Sequence, residues 1–194
     1  MFIQTEPTPN PETLKFLPGQ VVTGQTGPYD FASADEAGSS PLALALFEVD
    51  GVVRVFLGQD FISLTKSETH EWIHVRPMAL AAIMDHFVAG LPVISTHSDG
   101  LSPPTGGSVD DYDGEAAEIV GEIIELIETR VRPAVAQDGG DIIFHRFEPE
   151  SGIVHLSMRG ACAGCPSSTF TLKQGIENML KAYVPEVTAV EAAL

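Results

Sequence analysis

The stretch Gly160-Ala161-Cys162-Ala163-Gly164-Cys165-Pro166-Ser167-Ser168-Thr169 contains both cysteines of the chain. An alternating apolar segment precedes it and an amphipathic segment follows it, so the pattern predicts a loop between a strand and a helix. Two cysteines at this spacing can direct both sulfur atoms at one metal centre. Pro166 suits the first turn of a helix, and Ser167 or Ser168 suits its cap. Because a helix N-terminus stabilises negative charge, we expect lowered thiol pKa values here.

The number of cysteines limits the kind of centre. Common iron–sulfur clusters take four cysteine ligands, and tetrahedral zinc takes four donors. One chain supplies Cys162 and Cys165, and no histidine follows them. The shortest route to four thiolates is two chains related by a two-fold axis, each giving both cysteines. We therefore expect a homodimer when the cluster is bound, with an exposed, labile centre that suits handing the cluster on.

Three other interpretations of Cys162 and Cys165 stay open at this point. A thioredoxin-like redox pair also joins a strand to a helix and also carries a proline after its second cysteine. Such a pair follows the first strand of a βαβ unit, however, whereas this one comes late in an α-β-β-α order. A zinc site shared between chains needs the same ligand count. A pair of buried structural thiols fits the surrounding glycines and serines least well.

The residues on either side of the cysteine loop predict a small α+β domain over 113–194, with the order α-β-β-α-β. We expect a first helix that is capped by Asp113 and ended by Pro133. The other predicted elements are strands at 142–147 and 153–158, a helix at 168–183 and a strand at 187–190. Asp138-Gly139-Gly140-Asp141 could hold a metal through its carboxylates, but an ordinary turn is the better interpretation.

A second domain is predicted over 1–94. Ser40 and Pro41 open a helix, and a second helix begins near Pro77 and stops at Gly90. Strands are predicted at 2–6, 13–17, 52–57 and 61–65, the last two joined by a hairpin. Residues 95–112 are rich in Ser, Gly, Pro and Asp and have no apolar period, so we expect a flexible linker. The fold class is therefore α+β, with two small α/β-mixed domains joined by a linker.

Composition excludes several classes of partner. The formal net charge of −17 repels phosphate backbones and anionic lipid, so we expect neither nucleic acid nor a membrane as a partner. No apolar run is long enough to span a bilayer, and the N-terminus lacks the pattern of a secretory signal or a transit peptide. Two closely spaced cysteines do not make a disulfide scaffold, so a reducing, cytosol-like compartment is expected.

The histidines and the tryptophan carry no predicted chemistry. The six histidines show no ligand spacing with one another or with the cysteines, so we expect them to be on the surface or partly packed. They are His70, His74, His86, His97, His145 and His155. Trp72 is expected to be a core anchor.

Two groups of motifs resemble one known family. The segment from Gly160 through Met179 and Leu180 is similar to the signature of the NifU-like C-terminal domain, as are Arg132-Pro133-Ala134 and Asp138-Gly139-Gly140-Asp141. The earlier part resembles the N-terminal domain of the Nfu subgroup. Its matching motifs are Thr8-Pro9-Asn10-Pro11, Ser40-Pro41-Leu42-Ala43, Phe61-Ile62-Ser63-Leu64-Thr65-Lys66 and Trp72.

The resemblance implies a non-enzymatic scaffold or carrier that holds a [4Fe–4S] cluster between two subunits and delivers it to apo-proteins. It implies Cys162 and Cys165 as the cluster ligands. Implied partners are a second copy of the chain, apo iron–sulfur recipients and cluster-assembly proteins. The implied location is a bacterial cytosol, or the mature form of a mitochondrial protein. The alternative function is a thiol–disulfide redox protein that uses the same two cysteines.

Overall fold

The computed structural model describes residues 2–95, 106–163 and 166–193, without the side chains of residues 166–169. The chain divides into two compact units, Met1–Pro104 and Thr105–Leu194, called here the N-terminal and C-terminal units. Both mix helices and strands, so the α+β fold class is confirmed. Residues 96–105, most of the predicted linker, lie outside the described residues. Among the helices of the described part, none combines the length and apolarity that a bilayer crossing requires.

The N-terminal unit is built on an antiparallel sheet with the strand order β1-β2-β5-β4-β3. Its strands are β1 Gln4–Pro7, β2 Thr13–Leu17, β3 Tyr29–Phe31, β4 Val52–Leu57 and β5 Ile62–Lys66. Two helices, α1 Pro41–Phe47 and α2 Trp72–Val88, share one apolar core with the sheet. The fully buried side chains at its centre include Phe16, Leu46, Leu64 and Ile83.

The start of α1 matches the sequence prediction. Ser40 is the N-cap residue, and its Oγ accepts a hydrogen bond from the Ala43 N–H at 3.0 Å. The same hydroxyl donates to the Val93 carbonyl at 2.6 Å, which ties the segment after α2 to the start of α1. Pro41 occupies the first helical turn as predicted. Ser40 therefore joins two parts of the unit in addition to capping a helix.

Three details of this unit were predicted wrongly or missed. Helix α2 begins at Trp72, not near Pro77, which lies inside the helix on its exposed side. The proline removes only one helical N–H, and Pro77 is exposed and so displaces no core side chain, which is why the helix continues. Strand β3 has three residues and was not predicted. His86 is not on the surface but buried in α2.

The C-terminal unit contains a three-stranded sheet with the order β6-β7-β8. The long hairpin of β6 Gly140–Glu148 and β7 Ile153–Gly160 is antiparallel, and β8 Ala189–Ala192 pairs with β7 in parallel. Helices α3 Glu115–Leu126, α4 Arg132–Gln137 and α5 Pro166–Tyr183 complete the unit. Side chains from α3, the hairpin and the C-terminal half of α5 form its core, among them Ile123, Phe144, Leu156 and Leu180.

Pro133 does not end the first helical region as predicted. A π-helical turn, Ile127–Val131, follows α3 directly, and α4 continues from it to Gln137. Within this turn the Arg132 N–H donates to the Ile127 carbonyl, five residues back. The proline then falls in the first turn of α4, where a missing N–H is tolerated. The predicted cap also differs, because Gly114, with a φ of 59°, occupies the N-cap position instead of Asp113.

The described end of the predicted linker packs on the C-terminal unit. The Gly107 N–H donates to the Phe144 carbonyl at 2.9 Å, along the outer side of the edge strand β6. The Tyr112 hydroxyl accepts from the Phe147 N–H at 2.7 Å and donates to the Phe147 carbonyl at 3.0 Å. Residues 106–112 are therefore attached to the sheet, whereas the sequence placed them in the linker.

Candidate metal centre

Cys162 lies in a tight turn at the end of β7. The turn begins at Gly160, whose φ of 59° is in the left-handed region that favours glycine. The Cys162 N–H donates to the Arg159 carbonyl at 3.3 Å, and the Ala163 N–H donates to the Gly160 carbonyl at 3.0 Å. The backbone of the loop is therefore fixed by the end of the strand from which it emerges.

A second set of contacts comes from the turn that precedes β6. The Ala161 N–H donates to the Gly139 carbonyl at 3.2 Å, and Gly140 pairs with Gly160 across the hairpin. A Cβ atom on Gly140 would lie 2.5 Å from the Cys162 Sγ and 2.9 Å from the Arg159 carbonyl oxygen. Only a residue without a side chain fits so close to the thiol. The Asp138–Asp141 turn therefore packs directly against Cys162.

The Cys162 side chain is 6% exposed and belongs to the apolar core of the unit. Burial, together with the nearby carboxylates of Asp138 and Asp141, raises the pKa of its thiol to about 12. The lowered pKa that the sequence predicted is therefore wrong for Cys162 in this conformation. The helix N-terminus was expected to stabilise the thiolate, but loss of water and two like charges have the opposite effect.

Arg132 stabilises the Asp138–Asp141 turn through an ion pair with Asp141. Its Nε and Nη2 donate to the two carboxylate oxygens of Asp141 at 2.8 and 3.0 Å. Its Nη1 donates to both carboxylate oxygens of Glu128, at 2.9 and 2.8 Å. The pair with Asp141 raises the pKa of the Arg132 guanidinium, and Asp141 itself is buried. A planar, bidentate pair of this kind fixes orientation as well as charge.

Of the two predicted cluster ligands, Cys162 and Cys165, the structure describes only Cys162. Gly164 and Cys165 lie outside the described residues, so ligation of a cluster by both cysteines stays a prediction. Helix α5 begins at Pro166, immediately after the cysteines. Within the described ranges, no group of three or more His, Cys, Asp or Glu side chains could hold a metal ion.

Sequence reasoning missed the contacts of three residues. Arg132, Gly140 and Asp141 were noted as motif residues or as part of an ordinary turn, but not as neighbours of the cysteine loop. Gly140 and Cys162 are separated by 22 positions in sequence, so no local pattern joins them. The one available signal was the pair of adjacent glycines, because two glycines in succession often mark a close approach of the backbone.

Comparison with known families identifies both halves of the chain. Residues 3–90 match the family described as "Scaffold protein Nfu/NifU N terminal", and residues 123–191 match the "NifU-like domain". The chain belongs to the Nfu family. The family resemblance predicted from the sequence is thereby confirmed, and the cysteine loop, the Asp138–Asp141 turn and Arg132 all lie in its NifU-like domain.

Relatives within the Nfu family match almost the whole chain. "NifU-like protein 4, mitochondrial" from Arabidopsis thaliana is 50% identical over 98% of this chain. "NFU1 iron-sulfur cluster scaffold homolog, mitochondrial" from Drosophila virilis is 51% identical over the same share. The chain spans 65% and 61% of the lengths of these two proteins. The solution structure of a NifU-like protein from Saccharomyces cerevisiae aligns with 50% of this chain and 86% of its own, at 27% identity and a TM-score of 0.45.

Proposed function

We propose that this Nfu family protein is an iron–sulfur cluster carrier, which holds a [4Fe–4S] cluster between two subunits and transfers it to apo-proteins. The observation that carries the proposal is the cysteine content of a NifU-like domain. The chain has two cysteines, both in one C-x-x-C loop, and a cluster needs four thiolates. Cys162 and Cys165 from each of two chains supply that number. The names of the relatives support the scaffold role.

Loading the cluster requires two changes at Cys162. The thiol has to lose its proton, which the raised pKa opposes, and metal binding would release that proton. The sulfur atom is also covered in this conformation, so the short loop has to move before iron can reach it. Both requirements oppose loading of the cluster while the loop keeps this conformation.

The alternative function makes the same demands on Cys162, because a thiol–disulfide oxidoreductase also needs an accessible thiolate. The pKa and burial of Cys162 therefore do not separate the two functions. What supports the carrier is the Nfu family and the name of the Drosophila virilis relative, an iron-sulfur cluster scaffold homolog. We therefore favour a carrier over a redox enzyme, and place it in a reducing compartment, as a bacterial cytosolic protein or the mature form of a mitochondrial one.

In this proposal the two units have different functions. The C-terminal unit, predicted from residue 113 onward, holds the cluster, and the N-terminal unit, predicted as residues 1–94, recognises recipients or assembly partners. Both halves have their own apolar core, which supports separate roles.

The ligand assignment is tested with single variants of the full chain. Cys162→Ser and Cys165→Ser should each abolish stable cluster binding after anaerobic reconstitution, because each removes two of the four thiolates in a dimer. Iron and sulfide are measured per chain, and far-ultraviolet circular dichroism checks the fold. Full iron and sulfide content in both variants would show that the ligands are elsewhere.

Subunit sharing needs its own measurement. Native mass spectrometry of the reconstituted protein should give two chains with one cluster, and a chelator should shift the mass towards the monomer. A monomeric mass in the loaded protein would contradict the shared site. A brown dimer would also separate this function from that of a redox protein, which would take up little iron.

A further inference from the structure

Asp138 ends the helical region that leads to the turn beside the cysteine loop. It is the C-cap residue of α4, and its N–H donates to the Ala134 carbonyl at 3.4 Å. The last carbonyl groups of a helix carry partial negative charge, so a carboxylate at this end is unfavourable. A residue that opposes its own helix in this way is expected where it has another function.

The turn that follows Asp138 is held against the base of the cysteine loop. The Gly139 carbonyl accepts a hydrogen bond from the Ala161 N–H at 3.2 Å, and a Cβ atom on Gly140 would lie 2.5 Å from the Cys162 Sγ. Gly140 is also the first residue of β6, which pairs with β7. Because these contacts lie at the base of the loop and between strands, the turn stays beside the loop when the Cys162 side chain moves.

Two carboxylates of this turn act on the Cys162 sulfur. Both contribute to the raised pKa of the thiol, Asp138 more than Asp141. The Asp141 carboxylate is buried and bound by the Arg132 guanidinium in a bidentate pair. Asp138 is exposed and has no ion pair within the described part of the chain. The charge of Asp138 is therefore the one that no described cation offsets.

A bound cluster brings further negative charge to this turn. A [4Fe–4S] core held by four cysteine thiolates is anionic as a whole, and the charge around a cluster influences its properties. In a dimer with two-fold symmetry, the Asp138 carboxylates of both chains face one cluster. This repulsion arises only when the cluster is bound, so it destabilises the loaded state relative to the apo state.

We propose that Asp138 shortens the time for which the carrier holds its cluster, because its carboxylate repels the anionic cluster from the cysteine loop. This inference rests on the proposed carrier function and on a cluster shared between two chains. Asp138 is neither a ligand nor an acid in the hand-over, and acts through its charge.

The hand-over itself is an exchange of ligands. A recipient thiolate replaces Cys162 at an iron atom: the recipient sulfur supplies the electron pair of the new bond, and the Cys162 sulfur leaves with the pair of the old one. The proton that the recipient thiol loses balances the proton that the Cys162 thiol regains. The oxidation state of the cluster does not change.

The test compares three variants of the full chain after anaerobic reconstitution. Asp138→Asn removes the charge and keeps the size of the side chain, and Asp138→Glu keeps the charge. Glu150→Gln is the matched control, because Glu150 is also exposed but lies in the turn at the other end of the β6–β7 hairpin. The eight residues of β7 separate the two ends by about 25 Å. Both neutral variants therefore lose one charge from the same unit.

Loss of the cluster to excess chelator is followed by its visible absorbance. Asp138→Asn should release the cluster at least about threefold more slowly than the original chain at low salt, since one charge is removed from each of two chains. High salt should reduce the difference, because exposed charges are screened. Asp138→Glu and Glu150→Gln should stay within about twofold of the original chain.

Two further measurements separate charge from structural damage. The reduction potential of the bound cluster should rise in Asp138→Asn and stay unchanged in Glu150→Gln, because a nearby negative charge opposes reduction. Thermal unfolding of the apo-proteins should show Asp138→Asn to be at least as stable as the original chain, since the unfavourable charge at the end of α4 is gone.

Equal release rates in Asp138→Asn and Glu150→Gln would overturn the inference, and so would a difference that salt does not change. An Asp138→Asn variant that fails to load, while Asp138→Glu loads, would show that the carboxylate assists binding, which also overturns it. The carrier function stands in all these cases if the original chain takes up iron and sulfide. Failure of the original chain to load would contradict the carrier function and this inference with it.

Discussion

At the scale of single residues, the position of Cys162 depends on the absence of a side chain at Gly140. The glycine lies beneath the thiol, and its own φ is not in the left-handed region, so space alone excludes a larger residue. The contact joins two turns that are distant in sequence. A substitution at Gly140 should therefore disturb the cysteine loop, although Gly140 lies outside the C-x-x-C motif.

We expect Gly140→Ala to lower the iron and sulfide content of the reconstituted protein. The new Cβ would lie 2.5 Å from the Cys162 Sγ, so the loop has to shift. Gly121→Ala is the control, since a Cβ there meets nothing within 4 Å and the residue lies in α3. The control should raise stability by about 0.5–1 kcal/mol without affecting the cluster. Equal cluster content in both variants would contradict this role of Gly140.

His86 gives the N-terminal unit a dependence on pH. Burial lowers the pKa of its imidazole, while a hydrogen bond with the backbone of Leu91 acts in the opposite direction. Its Nε2 has no hydrogen-bond partner among the described residues. The unfolded chain binds a proton near pH 6.5 and the folded chain only at lower pH. The unfolded state therefore holds more protons between these values, and stability falls as pH falls below about 6.5.

His86→Leu should remove this loss of stability. Urea unfolding of the full chain between pH 7.5 and 5.5 measures the slope for each protein, and a single proton contributes at most about 1.4 kcal/mol per pH unit. The variant should show a smaller decline than the original chain. Identical slopes would mean that His86 is protonated equally in the folded and unfolded states.

At the scale of secondary structure, two neighbouring serines before α1 differ in what their hydroxyls do. The Ser40 Oγ accepts from Ala43 and donates to Val93, whereas the buried Ser39 Oγ has no partner within the described part of the chain. A cap is worth about 1 kcal/mol, and a buried hydroxyl without a partner costs free energy.

Ser40→Ala should therefore lower the free energy of unfolding by about 1–3 kcal/mol, because it removes the cap and leaves the Val93 carbonyl without its donor. Ser39→Ala should have no effect or stabilise the chain. Chemical denaturation monitored by the fluorescence of Trp72 compares the two variants. Equal destabilisation by both would show that the lost volume matters and the hydrogen bonds do not.

The elements that depend on local sequence were predicted well. The Ser40-Pro41 start of α1, the β4–β5 hairpin and the β6–β7 hairpin follow from neighbouring residues, and the structure confirms them. The two prolines misled the prediction for different reasons. Pro77 lies on an exposed side of α2, and Pro133 follows a π-helical turn that changes the hydrogen-bond partners. Neither circumstance can be read from a proline alone.

In the candidate site, too, the features set by local sequence were predicted and those set by long-range packing were not. The cysteine pair and its place between a strand and a helix follow from spacing, and the structure gives β7 before the pair and α5 after it. The pKa of Cys162 could not be predicted, because it is set by burial and by Asp138 and Asp141, which come from a distant turn. The contacts of Arg132 depend on the same long-range packing.

At the scale of the whole molecule, the attachment of residues 106–112 moves the useful boundary of the C-terminal unit. A fragment of residues 106–194 keeps the bonds of Gly107 and Tyr112 to β6, and one of residues 113–194 loses them. The longer fragment should be more stable, by about 1–3 kcal/mol for two or three hydrogen bonds. Thermal unfolding of the two fragments measures the difference, and equal midpoints would show that the attachment contributes nothing.

We also expect both fragments to take up a cluster and to transfer it more slowly than the full chain to recipients that bind the N-terminal unit. Tethering raises the effective concentration of the cluster near a bound recipient, and high salt should reduce that advantage. Transfer rates to a panel of apo-proteins, at low and high salt, make the comparison. Equal rates for every recipient would leave the N-terminal unit without a role in recognition.

Because the two units follow one another in sequence, the ribosome completes the N-terminal unit before it begins the C-terminal unit. Every strand and helix of the N-terminal unit precedes residue 105, and domains that are complete in sequence can fold while the rest of the chain is being made. The unit proposed to recognise recipients is then complete before Cys162 is translated. Under the proposed function, cluster loading comes after the synthesis of that unit, because a nascent chain of that length still lacks both cysteines.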